Sequence, residues 1–137
     1  MIELSEKTVV EARPDGKYGP YLALGRKMPG AWVRWVLLSR SVVQLRLCTD
    51  INQRVKQRTE EKFHLHTNQY VLVSNYRGHT YVGYHRLDEN GQVIPDKGIN
   101  LNVDEWIAFK KHFPTLRAAL KTPTQPLGMF KTTWVFF

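Results

Sequence analysis

Ten residues constrain the fold of this chain more than any other stretch: Lys97-Gly98-Ile99-Asn100-Leu101-Asn102-Val103-Asp104-Glu105-Trp106. They set a strand, a helix cap and a buried tryptophan in immediate succession. Asn102 can cap a helix that starts at Val103, and Asp104 and Glu105 then put negative charge in its first turn, where the helix dipole favours it. Beyond the cap, Trp106, Ile107, Phe109 and Phe113 recur at helical spacing up to Pro114, which predicts an amphipathic helix laid on a sheet.

Composition sets the frame around this junction. A chain of 137 residues that is 42% hydrophobic can bury one good core, or two small units sharing one, which excludes disorder. Apolar runs are short, and Met1-Ile2-Glu3-Leu4-Ser5-Glu6 lacks the basic flank and apolar stretch of a signal peptide, so the reading is a soluble intracellular protein with no membrane partner. The single cysteine, Cys48, can build neither an intramolecular disulfide nor a cysteine metal cluster and reads as a small core side chain. A net charge of +8 points to a polyanionic partner. Residues 1–62 hold 12 Lys/Arg against 7 Asp/Glu, and residues 63–121 hold 7 against 5.

Upstream of the junction lie Tyr70-Val71-Leu72-Val73, a turn at Tyr76-Arg77-Gly78-His79, a strand from Thr80 to Leu87 and a turn at Asp88-Glu89-Asn90-Gly91. In order and spacing, residues 63–121 resemble the transcriptional coactivator positive cofactor four family, whose units run four antiparallel strands and then one helix. The loop at Pro95-Asp96-Lys97 is slightly shorter than in that pattern. The resemblance implies single-stranded DNA binding across the sheet and roles in transcription, replication or repair, with a nuclear location in a eukaryotic or eukaryote-infecting host; no constellation of residues argues for catalysis, so no enzymatic activity is expected.

Residues 1–62 scan as a degenerate second unit. Trp35 to Val43 laid over Gly98 to Trp106 gives an apolar strand, a small polar cap at Ser39 and an apolar helix start in both. Thr8-Val9-Val10, a turn at Pro14-Asp15-Gly16-Lys17, Tyr21-Leu22-Ala23-Leu24 and a turn at Met28-Pro29-Gly30 supply the preceding pieces. A helix is predicted from Ser41 to Gln57 with Val42, Val43, Leu45, Leu47, Ile51 and Val55 apolar; Arg58 to Lys62 reads as the linker. The fold class is therefore α+β, with two ββββα-like units, each a curved antiparallel sheet backed by a helix, in a pseudo-two-fold arrangement. Such a chain is a monomer with an internal pseudo-dimer; if residues 1–62 are instead an add-on, it homodimerises through residues 63–121. Residues 122–137 read as an extended tail whose apolar end, Met129 to Phe137, docks as an edge strand or on a partner.

Single-strand binding needs cations for phosphates and aromatic faces for unstacked bases. On the strand from His79, alternation puts Thr80, Val82 and Tyr84 under the helix and His79, Tyr81, Gly83 and His85 outward. The resemblance assigns this outward face to DNA, with Tyr76 at the stacking position and Arg77 and Lys97 nearby. His79 and His85, however, stand where the family carries lysine or arginine. The first half supplies Lys7, Arg13, Lys17, Arg26, Lys27 and Arg34, interleaved with Tyr18, Tyr21 and Trp32. Of Trp32 and Trp35, alternation assigns one to the core and one to solvent. No cofactor is expected. His64 and His66 share a strand face but lack an evident third metal ligand, and no nucleophile elbow or phosphate-binding glycine loop is present. RNA or melted duplex could compete for the groove. The other functional class is a protein-interaction module that keeps the fold and recruits a partner, such as transcription or replication machinery, through the apolar C-terminus.

Overall fold

Period-two apolar alternation builds two antiparallel four-stranded sheets, seen in a computed structural model that describes residues 1–30 and 32–121. The first sheet runs β1 (Ile2–Glu3), β2 (Thr8–Arg13), β3 (Tyr21–Lys27) and β4 (Val33–Ser39), in that spatial order. A 3-10 turn (Arg40–Val43) and α1 (Leu45–Gln57) follow. The second sheet runs β5 (Glu61–His66), β6 (Gln69–Tyr76), β7 (His79–Leu87) and β8 (Val93–Asn102), again in order, before α2 (Val103–Lys111) and α3 (Phe113–Lys121). The fold is thus α+β with two sheet-and-helix units. The tight turn between β6 and β7 has positive φ at both Arg77 (49°) and Gly78 (81°), the pattern that matches the twist of paired strands.

The helix predicted at Val103 begins there. Asn102 accepts a hydrogen bond from the Glu105 backbone N–H (2.8 Å), and the Glu105 carboxylate accepts from the Asn102 N–H (3.1 Å), a complete capping box. Its continuation differs from the expected single helix. The chain breaks at His112 and restarts as α3, with Pro114 in the new first turn, where a missing N–H costs nothing. Ile107 points to solvent rather than to the sheet. In the first unit, Ser39 caps the 3-10 turn by accepting from Ser41 N–H, and Gln44 separates that turn from α1. Leu45, expected to be apolar-facing, is 69% exposed. The linker is shorter than predicted, since Arg58 ends α1 in the left-handed region and β5 starts at Glu61.

Both sheets and all the helices close on one core. Leu22, Leu24, Val36 and Leu38 come from the first sheet, and Val71, Val82, Tyr84, Ile99 and Leu101 from the second. Trp106, Phe109, Phe113 and Tyr84 meet edge to face, at ring separations of 4.8 to 5.9 Å. One helix of each unit crosses to the other: α1 packs on β6 and β7, and α3 packs on β2 and the 3-10 turn, while α2 stays on its own β7 and β8. Side chains reinforce the seam, with Lys110 Nζ donating to Asn52 (2.9 Å) and Arg117 to the Val43 carbonyl (2.6 Å). Cys48 packs half-buried against this core, and burial pushes its thiol pKa up, as expected for a structural cysteine.

Candidate nucleic-acid interface

Because the inner faces share one core with the helices, the opposite faces of both sheets point away from it. Strand alternation on β7 runs as the sequence predicts: Thr80, Val82 and Tyr84 are buried, while His79 and Tyr81 face out beside Tyr76, which is 61% exposed. The Arg77 guanidinium lies over the Tyr76 ring at 5.3 Å. Two neighbours escaped the sequence reading. Lys62, assigned to the linker, belongs to β5 and reaches over Tyr70 (5.6 Å), and His64 packs on the same ring (4.9 Å). Their signal was the alternation through Lys62, His64 and Tyr70, obscured by the short sequence gap between the two strands.

His85 is held in place rather than free. Its Nε2 meets Asn100 Oδ1 at 2.8 Å, and its ring lies across Gly98, where a Cβ would stand 2.0 Å from Nδ1. The first sheet repeats this device with the partners exchanged. Gly25 pairs with Trp35 as His85 pairs with Gly98, and a Cβ on Gly25 would meet the Trp35 ring at 2.8 Å. Trp35 is consequently half-buried on the outer face of its sheet and lies outside the core cluster; Trp32 is 55% exposed. Neither tryptophan is core, which corrects the expectation that one would be. The reason is that Arg34, Val36 and Leu38 take the inner positions of β4.

The basic residues of the first half divide into two groups. Arg13 stacks over Trp35 (4.8 Å) and Tyr21 (5.9 Å) and pairs with Glu11 (2.7 Å), so it forms part of the outer-face surface with most of its charge answered. Arg26 donates to the Asn100 carbonyl (2.8 Å) and faces Glu105 at 3.5 Å, and Arg34 donates to the Gly98 carbonyl (2.8 Å). Those two arginines join β3 and β4 to β8. Lys7 and Lys27 are exposed and adjacent, linked by a backbone hydrogen bond (2.8 Å), and Lys17 is exposed beside Tyr18 (5.4 Å), itself 93% exposed. Lys97 is exposed on β8, where alternation sets it on the helix side with Ile99.

The seam contains two corners. At one, the buried Thr8 pairs with Arg26, and the hydroxyls of Ser5 and Thr8 donate to the Glu105 carboxylate. Burial alone would raise the Glu105 pKa; the hydrogen bonds from Thr8, Ser5 and Asn102, with the charge of Arg26, outweigh it and hold the carboxyl below its usual range. At the other corner, the buried Gln69 pairs with Arg86 and clasps the first sheet, accepting from Ser39 N–H (2.9 Å) and donating to the Leu37 carbonyl (2.8 Å). With Ser39 laid over Asn102, Tyr21 pairs with the first cap as Tyr81 pairs with the second. Among the described residues, no group of three or more His, Cys, Asp or Glu side chains could hold a metal ion, and no helix is long and apolar enough to cross a membrane. The apolar tail from Met129 lies outside the described residues.

Two helix-backed sheets with ring-bearing outer strands define a paired-sheet α+β scaffold. Residues 63–112, within the second unit, match the family model described as Transcriptional Coactivator p15 (PC4), so this part of the chain is similar to that coactivator family. No curated protein matches the chain.

Proposed function

We propose that this protein binds single-stranded DNA, without reading its sequence, across the outer faces of its two sheets, and so holds unwound DNA during transcription, replication or repair. The observation that carries this reading is the outer surface of β5 to β7, where Tyr76 and Tyr70, inside the matched family segment, stand with Arg77 and, just before that segment, Lys62 over their rings. Aromatic faces beside cations suit bases and phosphates together, and stacking is worth about 1–3 kcal/mol per base. The lysines at 7, 17 and 27 add charge at the edges. His79 and His85 stand where the family carries lysine or arginine, so this face offers fewer fixed cations for phosphates than the family pattern does.

We also infer that residues 1–62 are a degenerate copy of the family unit, which makes the protein a monomer with an internal pair. The exchanged helices and the equivalent cross-strand pairs support this, because each unit already covers the sheet of the other. In a eukaryotic host the site of action is the nucleus.

Titration of a fluorescent oligo-dT with the protein at several salt concentrations tests the function. Binding that is favoured over duplex and weakens linearly in log salt is the expected result; no binding at low salt would sink the reading. Unlabelled RNA and a bubble duplex as competitors rank the other strands. A partner-recruiting module would show no response to any of them.

A further inference from the structure

The two seam corners differ in one respect that points to a ligand. In the first, Arg26 already has an anion, the Glu105 carboxylate, which Ser5 and Thr8 also serve. In the second, Arg86 holds the equivalent strand position, paired with Gln69 as Arg26 is paired with Thr8, but the residue matching Glu105 is Val42, which is buried. A cleft of about 650 Å³ opens there, lined by Lys17, Tyr18, Arg40, His66 and Arg86 among others, with no carboxylate in its wall. Arg86 donates to the neutral Asn68 side chain (3.0 Å), and Arg40 has no hydrogen-bond or ion-pair partner among the described residues. Cations gathered in a concave wall without a counter-charge focus a positive potential on the space between them.

We propose that this cleft is a phosphate site for one nucleotide of the bound strand, with Arg40 and Arg86 on the phosphate and the exposed Tyr18 ring against the base. The inference rests on the nucleic-acid reading for the identity of its ligand. Arginine forks match phosphate oxygens, and a tyrosine that is 93% exposed next to Lys17 has a free face for stacking. The site fills with an external anion the role that Glu105 fills internally on the other side. It lies at the end of β4, so a strand crossing the outer faces reaches it at the seam.

The test uses the full chain with arginine Nε and tyrosine ring signals followed by NMR. Titration with dTMP is expected to shift Arg40, Arg86 and Tyr18; inorganic phosphate should shift the two arginines alone, and thymidine neither. Arg40→Ala, an exposed side chain whose loss leaves the core intact, should abolish the dTMP response at Arg86 and lower the salt slope of oligo-dT binding by about 0.7, the value of one single-strand phosphate contact. Absence of shifts with dTMP, or shifts that persist unchanged in Arg40→Ala, would overturn the site. A dTMP response in a protein that fails to bind oligo-dT would uphold the phosphate site and sink the strand-binding function.

Discussion

Glu105 shows how one side chain can serve two structures at once. It closes the capping box of α2 through one oxygen, while the other accepts from Ser5 and Thr8 of the opposite unit. Its folded pKa lies below the unfolded value of about 4.3, so its stabilising contribution is fully present above that value and is lost as pH falls through the folded pKa. Urea unfolding should therefore show stability dropping in the acid range, with the drop reduced in Glu105→Gln, which should itself cost about 1–3 kcal/mol at pH 7. Tyr84 is the opposite case. Its hydroxyl is fully buried with no hydrogen-bond partner among the described residues, and burial pushes its pKa well up. Tyr84→Phe should leave stability unchanged or raise it by about 1 kcal/mol; a loss would reveal a partner for that oxygen. At this scale the sequence was a partial guide. It showed which residues are basic, but Arg26 and Arg34 donate to carbonyls of β8, contacts made between residues distant in the chain.

Elements were legible where their signals were local. The cap at Asn102, the turn at Gly78 and the alternation of β7 each follow from a few adjacent residues. Asn102→Ala should lower stability by about 1 kcal/mol, measurable by the same unfolding curve. The break between α2 and α3 was not legible, because a proline two residues before Leu116 reads as a stop and equally as a first turn. Only the packing of Phe113, Leu116 and Leu120 into the core decides for the second helix. The exchanged ring and glycine of the two sheets also needed the register. Gly98→Ala forces its Cβ against His85 and the Tyr84 carbonyl, and should cost about 1–3 kcal/mol. The imidazole of His85 should also shift in an NMR spectrum; an unmoved ring would mean that the backbone gives way instead.

At the scale of the molecule, the exchanged helices mean that neither unit can complete its own core. Separate fragments 1–60 and 61–137 should each be poorly folded by circular dichroism and should recover native signal on mixing, whereas two autonomous units would fold apart. The hydrodynamic mass of the intact chain should be that of a monomer. Charge was readable from the sequence as a total and as a bias toward the first half, but its deployment was not: part of it binds the seam together, and part gathers where Arg40 and Arg86 converge.

The unequal corners carry a consequence for direction. A homodimer with true two-fold symmetry offers a polynucleotide the same surface whether it runs 5′ to 3′ or the reverse. Here Glu105 supplies a counter-charge at one corner, whereas the arginines lining the other face no carboxylate, so under the proposed strand binding the two directions of travel would differ in energy. A spin label on the 5′ end of a bound oligonucleotide should broaden signals from one sheet and spare the other. Joining the two units in one chain would then have turned a clamp without polarity into one with a leading and a trailing end.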